Sequence, residues 1–264
     1  MTQLQVEQMT LSFGGLRALD QVSFQVEQGA IFSIIGPNGA GKSTIFNCIT
    51  GIYRPDTGRA LLEGEDITRL RPHRIAKKGI GRTFQNIELF SHMTTMDNIL
   101  LGRHIYMKTG VWSAATMLWR RSKAARDEVS HRRKAEVVID FLDLQAARDK
   151  PVASLPYGTQ KLVELARALA LEPKLLFLDE PSSGMNSEEK GDLLFWIRDI
   201  RDIHGVTIVL VEHDMNLVMD ISDRVLALNH GKVIAEGPPE EIQCHPAVLE
   251  AYLGGQETAG HAQA

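Results

Sequence analysis

The chain has 264 residues, of which 44% are hydrophobic and 23% are charged, and its formal net charge is -4. These values are ordinary for a globular protein, and the length suits one large domain or two small ones. The negative net charge offers no electrostatic attraction to nucleic acid, and only two, widely separated cysteines exclude a disulfide framework. No apolar run approaches the roughly 18 residues of a membrane span, and the N-terminus lacks the pattern of a signal peptide. We therefore expect a protein that is soluble by itself and folds in a reducing compartment.

Short apolar segments predict strands both near the start of the chain and in its last third. The predicted strands are Leu4–Met9, Val22–Glu27, Ala30–Ile35, Ala60–Glu63, Leu175–Leu178, Thr207–Val211, Arg224–Leu228 and Val233–Glu236. The clearest helix is Ser187–Ile203, which has Glu188 and Glu189 in its first turn and an apolar face. Strand–helix alternation after a strand-rich start predicts an α/β fold, with a parallel core sheet and an antiparallel β addition.

The segment 36–44 reads GPNGAGKST and fits the phosphate-binding pattern G-x-x-x-x-G-K-[ST] at every fixed position. The predicted strand Ala30–Ile35 precedes it, and a predicted helix from Thr44 to Thr50 follows it. A turn between a strand and a helix N-terminus directs backbone N–H groups and the helix dipole at an anion. Lys42 is expected to reach the β- and γ-phosphates of a nucleotide, and Ser43 to place its hydroxyl on Mg²⁺.

Helical patterns without a convincing strand occupy residues 94–170, which predicts an inserted helical subdomain. Basic residues cluster at 69–82, where no acid occurs, and at 120–134, where Asp127 and Glu128 interrupt them. Solvated helix faces are the simplest interpretation of both runs, and contact with lipid headgroups or with a partner's acidic surface is the alternative. The small, polar residues 254–264 predict a disordered tail.

Two later strands end in polar residues that suit nucleotide chemistry. The apolar strand Leu175–Leu178 is followed by Asp179 and Glu180. The C-terminal ends of strands in a parallel sheet face the ligand crevice. Asp179 can therefore bind the hydration shell of Mg²⁺ through water. Glu180 can orient or deprotonate a water that attacks the γ-phosphate. His213 follows the next strand, where a γ-phosphate contact is favoured over a purely structural role.

With these motifs on one chain, the sequence resembles the ATP-binding cassette (ABC) ATPases over nearly its whole length. The segment RTFQ at 82–85 resembles the family's Q-loop, which implies that Gln85 senses Mg²⁺ and water and couples to a membrane partner. The segment at 183–186 resembles the D-loop, which crosses the dimer interface, and His213 matches the switch histidine. Phe13 occupies the place of the aromatic residue that stacks on adenine, although a core position is the alternative.

The resemblance implies a complete set of site residues and two cofactors, ATP and Mg²⁺. The predicted catalytic residues are Glu180, His213 and Gln85, and the predicted metal ligands are Ser43, Gln85 and Asp179. The predicted nucleotide contacts are Phe13, Gly36, Asn38, Gly39, Gly41, Lys42, Ser43 and Thr44, with Gly158 reaching the ATP of a partner subunit.

The signature motif departs from the family pattern. The segment LPYGTQ at 155–160 stands where the family has LSGGQ, and a typical signature helix follows it. Pro156 replaces the serine, Tyr157 replaces a glycine and Thr159 replaces the glutamine, whereas Gly158 remains. Proline offers neither a hydroxyl nor an N–H to a phosphate. Because the family's signature closes over ATP held by the other subunit, the departure concerns the partner's nucleotide, not this chain's own site.

A narrower resemblance points to one kind of subunit. Motifs such as FNCITG at 46–51, EHDM at 212–215 and AYLG at 251–254 resemble the larger ATP-binding subunit of bacterial branched-chain amino acid importers. That resemblance implies a second ATPase subunit in a heterodimer, two membrane permeases and, indirectly, a periplasmic solute-binding protein. It also implies a place on the cytoplasmic face of the membrane, through the permeases, and no nucleic-acid partner. Relatives with this pattern import urea, short amides or aromatic acids, so these solutes remain alternatives.

The expected organisation is a single ABC ATPase domain over 1–264. Residues 1–93 and 171–253 are expected to form the nucleotide-binding core, 94–170 the helical subdomain and 254–264 the tail. Two other classes of protein are alternatives to an importer subunit. A non-transport ABC ATPase acting on nucleic acid or ribosomes would bring coiled-coil inserts, a second cassette or a basic surface, none of which is evident. A small-molecule kinase would have no need of Gln85, Gly158 and His213 at these spacings.

Overall fold

The computed structural model describes residues 1–106 and 123–259. A four-stranded antiparallel sheet contains most of the N-terminal strands, in the spatial order β2-β1-β4-β5. Its strands are β1 (Thr2–Phe13), β2 (Leu16–Glu27), β4 (Thr57–Leu62) and β5 (Glu65–Asp66). This sheet is the antiparallel addition that the sequence predicts.

The second sheet has six strands in the order β10-β9-β3-β8-β7-β6 and is parallel except for the pair β9–β10. Its strands are β3 (Ile31–Ile35), β6 (Ile80–Arg82), β7 (Leu175–Asp179), β8 (Thr207–Val211), β9 (Arg224–Asn229) and β10 (Lys232–Gly237). Every residue of β3, β7 and β8 is buried, as expected for parallel strands that are covered on both faces.

The helices cover this sheet and form a separate helical region. In the described residues they are α1 (Lys42–Ile49), α2 (Pro72–Lys77), α3 (Thr95–Gly102), α4 (Lys123–Phe141), α5 (Tyr157–Leu169), α6 (Ser187–His204), α7 (Met215–Ile221), α8 (Pro239–Gln243) and α9 (Pro246–Ala259). The helix α6 begins at a complete capping box, in which Asn186 and Glu189 each accept a backbone N–H of the other. Its bounds agree with the helix predicted from the sequence.

The central sheet divides the core into two layers. Phe177 and Val209 pack with the antiparallel sheet and α1 on one face. Their neighbours Leu176, Leu178 and Ile208 pack with the helical region and α6 on the other face. Successive side chains of a strand point to opposite faces, so continuous apolar strands can serve both layers.

The regular elements of the region 94–170 are helices in the part of it that the structure describes. It contains α3, α4, α5 and three short 3-10 turns, and its one β feature in the described part is an isolated bridge between Thr94 and Pro151. Thr94 caps α3 by accepting the backbone N–H of Asp97. Residues 107–122, which include the start of the basic run 120–134, lie outside the described residues. No helix among the described residues is long and apolar enough to cross a bilayer.

Several elements differ from the sequence-based expectation. β1 and β2 are longer than predicted, because they form a continuous hairpin with the turn Gly14-Gly15, where φ is 51° and 89°. β6 is a three-residue strand inside the basic run 69–82, where no strand was predicted. The helix α9 continues to Ala259, so 254–259 are helical and not a disordered tail, and residues 260–264 lie outside the described residues.

Candidate nucleotide-binding and hydrolysis site

The loop between β3 and α1 has backbone geometry that only glycine tolerates. The φ angles of Gly36, Gly39 and Gly41 are 151°, 80° and 103°, in the region that other residues rarely adopt. A Cβ at Gly36 would lie 2.2 Å from the carbonyl oxygen of Leu228, and one at Gly41 would lie 2.7 Å from that of Ala18. Neighbouring backbone therefore packs directly against the loop and fixes its shape.

Lys42, the first residue of α1, lies folded over this loop. Its side chain is buried, and Nζ donates hydrogen bonds to the carbonyl oxygens of Gly36 at 2.7 Å and Pro37 at 3.0 Å. Burial lowers the pKa of Lys42, while the nearby carboxylates of Glu180 and Asp179 oppose that shift. The loop thus encloses a partly desolvated cation, which can exchange carbonyl partners for phosphate oxygens.

A cavity of about 350 Å³ opens over the loop. Residues from the loop, the Q-loop, the end of β7 and the end of β8 share its wall. It is lined by Leu16, Arg17, Ala18, Asn38, Gly39, Ala40, Gly41, Lys42, Ser43, Thr44, Gln85, Glu180, His213 and His230. Nine predicted site residues therefore meet in one cavity, although they lie far apart in the chain. Arg17 and His230 were not predicted, because no local motif marks a β2 arginine or a β9–β10 turn histidine.

Glu180 connects two of the predicted catalytic loops. Its Oε2 accepts a 2.9 Å hydrogen bond from Nε2 of Gln85, and its Oε1 lies 2.6 Å from Nε2 of His213. The Glu180 backbone has φ 48°, an uncommon value for a residue with a side chain, and its N–H donates to the carbonyl oxygen of Val211. Such outliers persist when the surrounding structure holds them in place, and they concentrate at functional sites.

Asp179 is buried beneath the cavity and paired with a cation. Its Oδ2 accepts a 3.0 Å hydrogen bond from Arg82, which also donates to Asn47 at 2.7 Å and to Thr50 at 3.0 Å. Burial raises the pKa of Asp179, and the Arg82 guanidinium opposes the shift. Oδ1 is buried and has no hydrogen-bond partner among the described residues. A buried carboxylate oxygen without a partner suits a hard cation such as Mg²⁺, directly or through water.

The Q-loop is attached through its backbone to the signature helix α5. The carbonyl oxygen of Gln85 accepts a 3.0 Å hydrogen bond from Lys161, and the N–H of Phe84 donates to Glu164 at 3.2 Å. Burial raises the pKa of Glu164, and these polar neighbours oppose the shift. Arg167 completes the attachment by donating to the carbonyl oxygen of Glu88. These contacts join α5 directly to the loop that carries Gln85.

The signature segment packs on the D-loop of the same chain. A Cβ at Gly158 would lie 2.3 Å from Oε1 of Glu189, and one at Gly184 would lie 2.8 Å from the ring of Tyr157. Pro156 is the N-cap of α5 and no side chain caps the helix start. Gly158 does not line the cavity of its own chain. This position agrees with the prediction that it serves another subunit's nucleotide, which itself stays a prediction.

Phe13 lies outside the cavity wall, at the exposed tip of the β1–β2 hairpin. Its ring is 45% exposed and contacts Tyr53 edge-to-face, with the ring centroids 5.2 Å apart. The alternative that Phe13 belongs to the core is therefore wrong, because half of the ring faces solvent. Its stacking on adenine stays a prediction, and Tyr53 is an aromatic neighbour that the sequence analysis did not single out.

Comparisons with known proteins agree with this geometry. The ABC transporter family model matches residues 19–183, and a model described as Branched-chain amino acid ATP-binding cassette transporter matches residues 232–258. The chain is 42% identical to the high-affinity branched-chain amino acid transport ATP-binding protein BraF of Pseudomonas aeruginosa, over 95% of this chain and 97% of that protein. It is 40% identical to the corresponding protein LivG of Escherichia coli, with the same coverage of each chain.

Solved structures show the same architecture. The ADP conformation of an ATP-binding cassette of an ABC transporter superposes with a TM-score of 0.83 at 33% identity, covering 96% of this chain and 99% of that one. A nucleotide-free cassette gives the same TM-score at 32% identity. The chain belongs to the ABC transporter family and is one of its ATP-binding cassette ATPases. The predicted P-loop fold, with its parallel sheet and antiparallel addition, is confirmed.

Proposed function

We propose that this chain hydrolyses ATP to power an importer of branched-chain amino acids. The meeting of Gln85 and His213 on the two carboxylate oxygens of Glu180, beside the phosphate-binding loop, carries the proposal for hydrolysis. The names of the relatives and the C-terminal match at 232–258 support the choice of solute. The loop geometry supports ATP as the nucleotide, since its glycines bring backbone N–H groups within reach of phosphate oxygens.

Gln85 and His213 each contact one of the two carboxylate oxygens of Glu180. Each oxygen keeps a further acceptor site, so the carboxylate can also receive a water. A γ-phosphate gives His213 a competing acceptor, and the nucleotide with its metal gives the Gln85 amide one as well. Glu180 can then orient the attacking water and take its proton.

The residues around Asp179 fit Mg²⁺. The partnerless Oδ1 of Asp179 is the strongest support, and the hydroxyl of Ser43 and the amide of Gln85 lie in the adjoining cavity wall. When bound, Mg²⁺ neutralises charge on the β- and γ-phosphates. Arg82 favours the ionised form of Asp179 and so opposes the rise in pKa that burial causes, and it binds Oδ2 while leaving Oδ1 free of that contact.

A second ATPase subunit is proposed to complete the site. The start of α5 has no side-chain cap, so its first N–H groups can receive the phosphate of a partner's ATP despite Pro156. Two permeases are proposed to bind this heterodimer at the cytoplasmic face of the membrane, and a periplasmic binding protein to deliver the solute to them. The link from α5 to Gln85 provides a route from permease movement to Glu180.

A related importer for urea, short amides or aromatic acids is the second candidate, but the relatives' names and the C-terminal match favour branched-chain amino acids. The test is co-expression with candidate permeases and a candidate second ATPase from the same organism, followed by reconstitution in vesicles with a candidate binding protein. We expect ATP-dependent uptake of radiolabelled leucine, isoleucine or valine, and none in a complex carrying Glu180→Gln. Uptake of urea or benzoate in place of leucine would redirect the solute assignment, and failure to copurify with permeases would refute the transporter role.

A further inference from the structure

A tyrosine of the C-terminal helix contacts the phosphate-binding loop. The backbone N–H of Gly36 donates a 2.9 Å hydrogen bond to the phenol oxygen of Tyr252, which lies 216 residues away in the chain. Gly36 is the first residue of the loop, and Tyr252 belongs to α9, within the segment matched by the C-terminal family model. No other hydrogen bond in the described residues joins the C-terminal helix to this loop.

Packing of α9 holds the phenol in place. Val248, one helical turn before Tyr252, is buried in a cluster with Ile35, Val225 and Ala227. Ile35 is the last residue of β3 and directly precedes Gly36. The aromatic ring therefore lies against the same cluster that anchors the end of the strand. Burial also raises the pKa of Tyr252, so the phenol is neutral at physiological pH.

Gly36 is constrained on its other sides as well. Its carbonyl oxygen accepts the 2.7 Å hydrogen bond from Nζ of Lys42. Its Cα faces the carbonyl oxygen of Leu228, where an added Cβ would lie at 2.2 Å. A glycine has no side chain and can adopt many backbone conformations. These contacts therefore help to hold Gly36 in the observed conformation, in which φ is 151°. Of these contacts, the one with Tyr252 can be removed by deleting a single side-chain oxygen atom.

We propose that Tyr252 is a positioning residue for the phosphate-binding loop, through which the C-terminal helix sets the affinity for nucleotide. The hydroxyl holds Gly36 in its observed backbone conformation, so the loop keeps its shape when Lys42 exchanges its carbonyl partners for phosphate oxygens. This inference rests on the proposed assignment of the loop at 36–44. It extends the site to a helix that contributes no residue to the cavity wall.

The test compares Tyr252→Phe with the matched control Tyr106→Phe. The hydroxyl of Tyr106 also donates a hydrogen bond to a backbone carbonyl oxygen, that of Leu171 at 3.0 Å, and the control variant loses this bond. Tyr106 lies in the helical subdomain, away from the loop. Loss of one such bond should raise the Kd for ATP and for ADP about two- to tenfold in Y252F and leave it unchanged in Y106F. In the reconstituted complex, KM for ATP should rise in Y252F while kcat stays within about twofold, because Glu180, Gln85 and His213 are untouched.

A third variant, Lys42→Ala, separates two kinds of failure. If K42A loses nucleotide affinity and Y252F binds like the parent protein, the role of Tyr252 is refuted and the loop assignment stands. If K42A also binds like the parent protein, the loop assignment itself fails. An equal change of Kd in Y252F and Y106F would mean that general destabilisation, and not loop positioning, causes the effect.

Amide hydrogen exchange gives a direct readout that does not require nucleotide. In the unaltered full chain, the Gly36 amide should exchange slowly, since it is hydrogen-bonded to a partly buried phenol. Y252F should accelerate exchange at Gly36, whereas Y106F should not. Should Y252F fail to fold, the unaltered protein still decides the matter: a Gly36 amide that exchanges at the rate of an unstructured peptide would overturn the proposal.

Discussion

At the scale of single residues, Glu180 is distinguished by its two carboxylate oxygens, one of which accepts a hydrogen bond from Gln85 while the other is hydrogen-bonded with His213. A glutamine at this position keeps the size of the side chain but cannot take a proton from water. Glu180→Gln should therefore bind ATP normally and lose turnover by about 10²–10⁴-fold, the usual contribution of a general base. Binding is measured by calorimetry and turnover by phosphate release.

The matched control for that variant is Glu188→Gln, which removes an exposed carboxylate in the first turn of α6. It should leave turnover unchanged. Because hydrolysis is blocked, the ATP-bound dimer of the Glu180 variant should persist long enough to be seen by size exclusion. Parent-like turnover in Glu180→Gln would show that another residue is the base.

Lys42 is the residue on which nucleotide affinity should depend most. Its ammonium is the one charged side chain of the loop 36–44, and it lies over two loop carbonyls. Lys42→Ala should remove several charge-assisted contacts of about 1.5–3 kcal/mol each, so affinity for ATP should fall about tenfold or more. Calorimetry with the exposed variant Lys174→Ala as control measures this effect, and unchanged binding by Lys42→Ala would refute the loop assignment.

At the scale of secondary-structure elements, Arg82 joins three of them. It ends β6, donates to Asn47 and Thr50 at the end of α1, and pairs with Asp179 at the end of β7. The side chains of Arg82 and Asp179 are 10% and 3% exposed. Arg82→Ala should lower the free energy of unfolding by about 3–5 kcal/mol, because it leaves a buried carboxylate without its cation. Urea unfolding measures this change. The control is Arg59→Ala, which removes the cation of the exposed ion pair between Arg59 and Glu7.

The same variant should have a pH signature. Burial already raises the pKa of Asp179 and Arg82 opposes the shift, so removing Arg82 raises that pKa further. A carboxyl whose pKa is higher in the folded than in the unfolded protein favours folding at low pH and loses that contribution as pH rises through the folded value. The deficit of Arg82→Ala relative to the parent should therefore be largest at neutral pH and shrink as pH falls toward the raised pKa. A deficit that does not change with pH would contradict this account of the ion pair.

At the scale of the whole molecule, the departure at Pro156 predicts an unequal pair of ATP sites. In a heterodimer this chain's ATP meets the partner's signature, while the partner's ATP meets Pro156, Tyr157 and Gly158. Loss of one phosphate hydrogen bond of about 1.5–3 kcal/mol should slow the second site about ten- to a hundredfold. The isolated chain should accordingly be mostly monomeric and a weak ATPase, and its partner should activate it.

Two single variants of the reconstituted complex test this asymmetry. Glu180→Gln in this chain should cost more activity than the matching change in the partner. Equal losses, or a fully active homodimer of this chain, would mean that Tyr157 and the N–H of Gly158 compensate for the proline. The uncapped start of α5 is the feature through which such compensation would act.

The sequence by itself predicted the architecture of this protein and most of the residues that meet in its cavity. The glycines and lysine of 36–44, the acids after Leu178 and the histidine after Val211 are local signals, since each depends on residue types at fixed short spacings. The alternation of buried strands with helices, the helical stretch 94–170 and the capped helix at Ser187 are local for the same reason. The strand β6 was missed because three residues are too few to show a periodic pattern. The helical end of α9 was missed because its paired glycines weaken the helical pattern.

Only the tertiary structure decided which distant groups touch. No spacing predicts that Glu180 engages Gln85 and His213 together, that Arg82 rather than Lys42 pairs with Asp179, or that Tyr252 receives the N–H of Gly36. The positions of Arg17 and His230 in the cavity wall, and of Phe13 beside Tyr53, likewise depend on contacts between distant parts of the chain. Hydrogen bonds and packing contacts depend on distances of a few ångströms between elements, and those distances are set by how the two sheets and the helical region pack on one another.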